Sequence, residues 1–247
     1  MCILCMQLNT RPSPLFGPHL LFRITETLRS MMSARPQTSV IVSKPLLAMP
    51  AEVLGVRIPD SDVAVAAMDL AQAAMSPVLL NHCLRTFVLG MIDARKRALQ
   101  IDEEAAFVGS ILHDIALVPE YAGDLMKTFE ANGAELARTF VLTRGFTADR
   151  AEKIATAILL HAGHANGEGP DIEFVMVGAG QDVLGPSQEQ LSDDELAATE
   201  RAIPRLDFRA QFLALLKDHV KRTKNPTWTE DFVRNPWPNF LQNRWSQ

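Results

Sequence analysis

An all-α fold is predicted for most of this chain, on three observations. Apolar residues make up 47% of the chain and aromatics only 6%, with Ala, Leu and Val abundant, which leans towards packed helices and away from a β-sandwich. From Pro59 onward apolar positions recur at helical spacing, punctuated by capping residues and terminal glycines. No alternating apolar–polar stretch of useful length interrupts them, and Ile172–Val177 alone could be read as helix or strand.

Each helix has its own start signal. Asp60 and Ser61 can cap a helix running to Ala73–Met75. Ser76-Pro77 pairs an N-cap with a proline whose fixed φ suits the first helical position, and opens a helix to about Leu99. Asp102 caps the next, which ends in Ile111-Leu112-His113-Asp114. A helix over about 128–143 stops at Gly145, where a glycine can adopt the left-handed backbone that ends helices. Thr147 begins another, reaching about His164, and Ile172–Val183 forms an apolar segment after the Asn166–Pro170 loop. Ser192–Glu195 and Thr227–Glu230 both have capping-box spacing. Between them, Asp207–Arg222 is amphipathic and ends in basic residues that suit a helix C-terminus.

The chain's 247 residues suit one domain with enough length to bury a core. Residues 1–50 differ from the rest. They hold Pro12, Pro14, Pro18, Pro36, Pro45 and Pro50 but a single acidic residue, Glu26. They read as an extension, poorly ordered or targeting, before one helical domain over 51–247. Cytoplasmic placement is expected, or mitochondrial if the extension is a transit peptide. A net charge of −5 argues against nucleic-acid binding, and no apolar run is long enough to span a bilayer. A small-molecule substrate is the expected partner, and self-association is left open. Three cysteines, two of them an isolated Cys2-x-x-Cys5, make no disulfide framework.

The chemistry lies in a few polar residues on apolar helices. His82 follows Leu79-Leu80-Asn81, His113-Asp114 follows Ile111-Leu112, and His161 follows Ile158-Leu159-Leu160. A buried imidazole or carboxylate costs several kcal/mol (~2–7 for an unpaired polar group, more for a charge) unless it is paired or binds a metal. Asp114 has no cationic partner nearby in sequence. With an isolated Asp182, the order His82, His113-Asp114, Asp182 offers two imidazole nitrogens and two carboxylates to one divalent ion. Zinc or iron suits this set first, and manganese, cobalt and nickel also fit.

In that order, spacing and helical setting the chain resembles the HD-domain superfamily of metal-dependent hydrolases, over about residues 55–225. Within it the chain is most similar to the cyanamide-hydratase-like branch, through Ser76–Arg85, Phe107–Asp114, Phe129–Ala134 and Asp182–Gly185. The resemblance implies a helical bundle holding one ion on His82, His113, Asp114 and Asp182. A dinuclear member would supply two more separated histidines before the last aspartate, whereas His161 and His164 are three apart. Addition of a metal-activated water needs proton transfer, for which Asp114 is the candidate acceptor and His161 the candidate donor, with Glu130 a further catalytic candidate. Asn132, Phe107 and Tyr121 are candidates for the pocket lining. His219, among Lys217, Lys221 and Arg222, is read as a solvated residue or one facing the helix dipole.

Two positions depart from the cyanamide-hydratase pattern. Ala162-Gly163 stand where Gln-Asp usually follows the histidine, and Val183 stands where Asn usually follows the last aspartate. The expected reaction is therefore addition of water to a small cyanamide- or nitrile-like substrate, with cyanamide itself not fixed. Hydrolysis of a nucleotide or phosphate ester is the alternative, although Arg85, Lys127, Arg144 and Lys153 are scattered and make no evident anion cradle. A metal-stabilised protein that only binds a partner is a third reading.

Overall fold

Helix follows helix from residue 62 onward, as the caps and the apolar spacing require. The computed structural model describes residues 50–245. The segment read as an extension, with Cys2, Cys5 and His19, lies outside them. The described chain opens on a hairpin of two-residue strands, β1 (Glu52–Val53) and β2 (Val56–Arg57), paired antiparallel. Leu54 and Gly55 turn it at positive φ, 51° and 75°. The sequence gives no strand pattern here because two residues cannot show a period.

Ten helices follow among the described residues. They are α1 (Asp62–Ala74), α2 (Pro77–Lys96), α3 (Glu103–Leu112), α4 (Phe129–Leu142), α5 (Ala148–Leu160), α6 (Pro170–Leu184), α7 (Asp193–Ala202), α8 (Phe208–Arg222), α9 (Trp228–Arg234) and α10 (Pro238–Leu241). Two 3-10 turns, Ile115–Leu117 and Pro119–Tyr121, join α3 to the loop before α4. Ser61, Ser76, Asp102, Thr128 and Thr147 each accept a backbone N–H at the start of their helices, and Ser192 with Glu195 forms a full capping box. These bonds satisfy donors that a helix start leaves open.

The structure corrects some boundaries. Thr227 makes no capping hydrogen bond, its backbone standing at φ 48° and ψ −132°. α2 ends at Lys96, short of Leu99, and α5 ends at Leu160, short of His164. Ile172–Val183 is helical, with Pro170 at its first turn.

The fold centres on α2, whose residues from Val78 to Ile92 are all buried. α6 lies along α2, α5 packs against both α4 and α6, and α3 wedges between α1, α2 and α5. The α2–α6 approach is close enough to require glycine. A Cβ on Gly178 would lie 2.0 Å from the Thr86 carbonyl oxygen of α2, and one on Gly90 would lie 2.7 Å from the Phe174 ring of α6. A second apolar cluster holds the C-terminal helices. Phe208, Phe212, Leu216, Phe232 and Phe240 pack there with Val78, Ala116, Leu117 and Phe129. Among the described residues no helix is long and apolar enough to cross a membrane.

Candidate metal centre

Three imidazoles meet beside one carboxylate where α2, the end of α3 and the end of α5 converge. His82 projects from the middle of α2. His113 and His161 both sit at helix C-caps, where the last carbonyls lack intrahelical donors. Each turns its Nδ1 back to the carbonyl three residues earlier. His113 Nδ1 donates to Ser110 O at 2.7 Å, and His161 Nδ1 donates to Ile158 O at 2.6 Å. A carbonyl oxygen can only accept, so both protons sit on Nδ1 and both Nε2 atoms present lone pairs.

His82 is fixed in the same sense by a carboxylate. Its Nδ1 donates to Asp182 Oδ2 at 2.7 Å, which leaves its Nε2 as the lone pair. The two Nε2 atoms of His82 and His113 stand 3.2 Å apart, and each is 3.4 Å from Asp114 Oδ2. His161 Nε2 lies 3.6 Å from the other oxygen, Asp114 Oδ1. Facing lone pairs repel unless a cation stands between them. Ligands held ~2.0–2.1 Å from a tetrahedral ion are roughly 3.3–3.4 Å apart. His82, His113 and Asp114, all buried and within 4.8 Å of one another, therefore fit a divalent ion in donor type and in spacing.

The electrostatics also call for positive charge. Burial would raise the Asp114 carboxyl, but His113, His82 and His161 hold it well below the usual carboxylate range. Burial drives His113 down to about 3. Burial also pulls on His82, yet the hydrogen bonds to Asp114 and Asp182 outweigh it and raise the imidazole above its ordinary value. The cluster thus favours either a proton at His82 or an ion that takes its place.

Asp182, expected among the ligands, stands behind them. It accepts from Arg85 Nε at 2.6 Å, Arg85 Nη2 at 3.0 Å and Arg205 Nη1 at 2.7 Å, besides His82. Burial would raise its carboxyl, and the two arginines hold it far down. Its lone pairs are engaged in orienting His82, a common partner for a histidine that binds metal through its other nitrogen. Arg85 and Arg205 were not foreseen in this role. They are distant from Asp182 in sequence and meet it only through the packing of α2, α6 and the segment after α7.

The cluster opens into a cavity of about 320 Å³. Its lining includes His82, His113, Asp114 and His161 with Ala162, Gly163 and Val183, so both departures from the cyanamide-hydratase pattern lie on its wall. Four other candidates stand away from it. Phe107 is buried in the core with its ring 5.1 Å from Phe87. Tyr121 packs half-buried on the same core. The Asn132 side chain is used up in pinning a loop, donating to Asp124 O and accepting from Asp124 N. Glu130 is buried and accepts from the Trp228 indole at 2.7 Å.

The far wall is made by Phe212 of α8, Trp228 and Phe232 of α9 and Trp237 at the N-cap of α10, none of them among the candidate residues of the sequence. His219 is not solvated: it lies in the last turn of α8, buried with its ring 5.4 Å from Phe129. The tryptophans near the C-terminus were the available signal for that wall. The scattered cations are engaged elsewhere. Lys127 pairs with Glu135, Arg144 bonds Phe140 O and Lys153 pairs with Asp149.

A family model described as HD domain matches residues 79–207. This chain belongs to the HD domain family. The matched span contains His82, His113, Asp114, His161 and Asp182, and ends before α8. Two relatives from Saccharomyces cerevisiae, cyanamide hydratase DDI2 and cyanamide hydratase DDI3, are each 25% identical to this chain over 172 residues. Each alignment covers 66% of this chain and 75% of the relative. As an HD domain protein similar to cyanamide hydratases, the chain has the metal-fitting cluster of a metal-dependent hydrolase or hydratase.

Proposed function

We propose that this protein adds water to a small, uncharged carbon–nitrogen substrate of nitrile or cyanamide type, with His82, His113 and Asp114 holding one divalent ion. The observation that carries this reading is the convergence of three imidazole lone pairs and one carboxylate on the wall of a largely apolar cavity. Zinc or iron suits the donors first, with manganese, cobalt and nickel also compatible. When bound, the ion supplies a Lewis acid that makes water nucleophilic near neutral pH, lowering its pKa from ~15.7 towards ~7.

The protein's own groups handle the protons. Asp114 Oδ1 faces His161 and is the nearest base to accept a proton as water attacks. His161 has its Nδ1 pinned by Ile158 O, so only Nε2 is free to pass that proton to the substrate nitrogen. Asp182 keeps His82 in the tautomer that faces the site. The names of the yeast relatives support hydration over other chemistries. Phosphate-ester hydrolysis is less well supported, since no lysine or arginine lines the cavity among the described residues. A cytoplasmic enzyme is proposed.

The test is metal content followed by turnover of cyanamide, small nitriles and nucleoside monophosphates. Asp114→Ala should lose metal and activity together. His161→Ala should keep the metal and lose about 10²–10⁴-fold in kcat. Full activity in Asp114→Ala, or a protein that binds no divalent metal, would overturn the proposal.

A further inference from the structure

Resting on the hydratase reading, we infer that the substrate carries its reacting group on a flat apolar body, an aryl nitrile or aryl-substituted cyanamide. That body lies against the ring wall of α8–α10. The cavity volume, about 320 Å³, lies in the ~300–1,000 Å³ range of pockets that enclose ligands of many atoms. Cyanamide would fill a small part of it. The remainder would hold water facing walls that offer few hydrogen-bond partners, an unfavourable place for it.

The lining is divided. Its charged and titratable side chains are His82, His113, Asp114 and His161, gathered at one end. The rest is apolar, including Val183 from α6 and four rings from α8–α10. Among these Trp228 is locked in place, its indole N–H donated to Glu130 and its ring stacked on Trp237 at 5.7 Å and 25°. Phe232 meets Trp237 edge-on at 4.9 Å. Trp237 lines the cavity and is 43% exposed although large and apolar. Rings fixed in this way offer a preformed slot for another ring, at little conformational cost.

The polar end then meets the carbon–nitrogen group. Water's oxygen bonds to the nitrile carbon while one carbon–nitrogen π pair moves to nitrogen and takes a proton there. Proton transfer from oxygen to nitrogen in the resulting imidic acid gives the amide. The sum is nitrile plus water, with no redox partner. Recognition of the ring is carried by α8–α10, beyond the span that matches the family model.

Two measurements test the inference separately from the reaction. Calorimetric titration of the full-length protein should show benzamide, a product-like aryl ligand, binding about 100-fold more tightly than urea. With the metal-loaded protein, kcat/KM for benzonitrile or phenylcyanamide should exceed that for cyanamide by a similar factor. Trp228→Ala should weaken benzamide about tenfold and Trp228→Phe should restore most of it. Val183→Asn, on a different helix, should shift the kcat/KM ratio towards cyanamide and so guards against a simple folding defect in the Trp228 variants. Cyanamide turnover without preferential benzamide binding overturns the inference and leaves the hydratase reading standing. Tight benzamide binding with no hydration of any nitrile or cyanamide removes the hydratase reading, and with it the nitrile or cyanamide group assigned to the ligand, and leaves only a slot for a flat apolar body.

Discussion

Asp182 illustrates how little of a residue's role its type alone conveys. As an isolated aspartate among apolar residues it could hold a metal, orient a histidine or anchor a cation, and in the structure it does the last two. Two buried arginines pair with it. Asp182→Asn keeps the shape but removes the carboxylate that Arg85 and Arg205 share. It should therefore cost about 3–5 kcal/mol, read from urea unfolding. Metal affinity should fall about 10–100-fold in a chelator competition, because His82 would lose the partner that fixes its tautomer. Wild-type stability with unchanged affinity would show that the arginines find other partners.

At the scale of elements, the site depends on how closely α2 and α6 approach. His82 and Asp182 lie on these two helices and meet at 2.7 Å only because Gly178 lets the backbones touch. A methyl at that position would meet backbone, which cannot rotate aside as a flexible side chain can. Gly178→Ala should thus cost about 1–3 kcal/mol or more from overpacking and should lower metal affinity as α6 moves away. Ala at Gly180, where a Cβ meets nothing within 4 Å, is the control and should change stability little. The helix starts were legible because a cap is a local event between residues three apart. Thr227 had the same signature, but the turn before α9 twists its backbone to φ 48° and the side chain makes no cap.

Across the whole molecule, the buried histidines tie stability to pH. His113 is held at about 3 when folded against an ordinary 6.5. Below 6.5 the unfolded chain binds a proton there that the folded chain refuses, so metal-free protein loses stability as pH falls from about 6.5 towards 3. The slope reaches about 1.4 kcal/mol per pH unit for this group. His82 acts in the opposite direction. Its raised value gives stability that is fully present below 6.5 and is lost as pH rises through the folded value. Denaturant unfolding of chelator-treated protein at several pH values should therefore show a maximum near neutrality and a steep acid limb. The limb should begin well above the range in which ordinary carboxylates titrate. A flat profile between pH 7 and 5 would contradict the assignment of His113 as a buried neutral imidazole.

The helical class, most of the helix starts and the set of histidines and aspartates on which a metal site can be built were all legible in the order of residues alone. Apolar period and capping act within a few residues, and an imidazole or carboxylate on an apolar helix needs a partner wherever the chain goes. Tertiary structure decided which partner each one found. It put Asp182 behind His82 instead of beside the ion's place, buried Phe107, spent Asn132 on a loop and brought Trp228 and Trp237 to the cavity that His161 lines. Those outcomes depend on segments far apart in sequence arriving at one cavity, and no local pattern encodes the distance or direction of that approach.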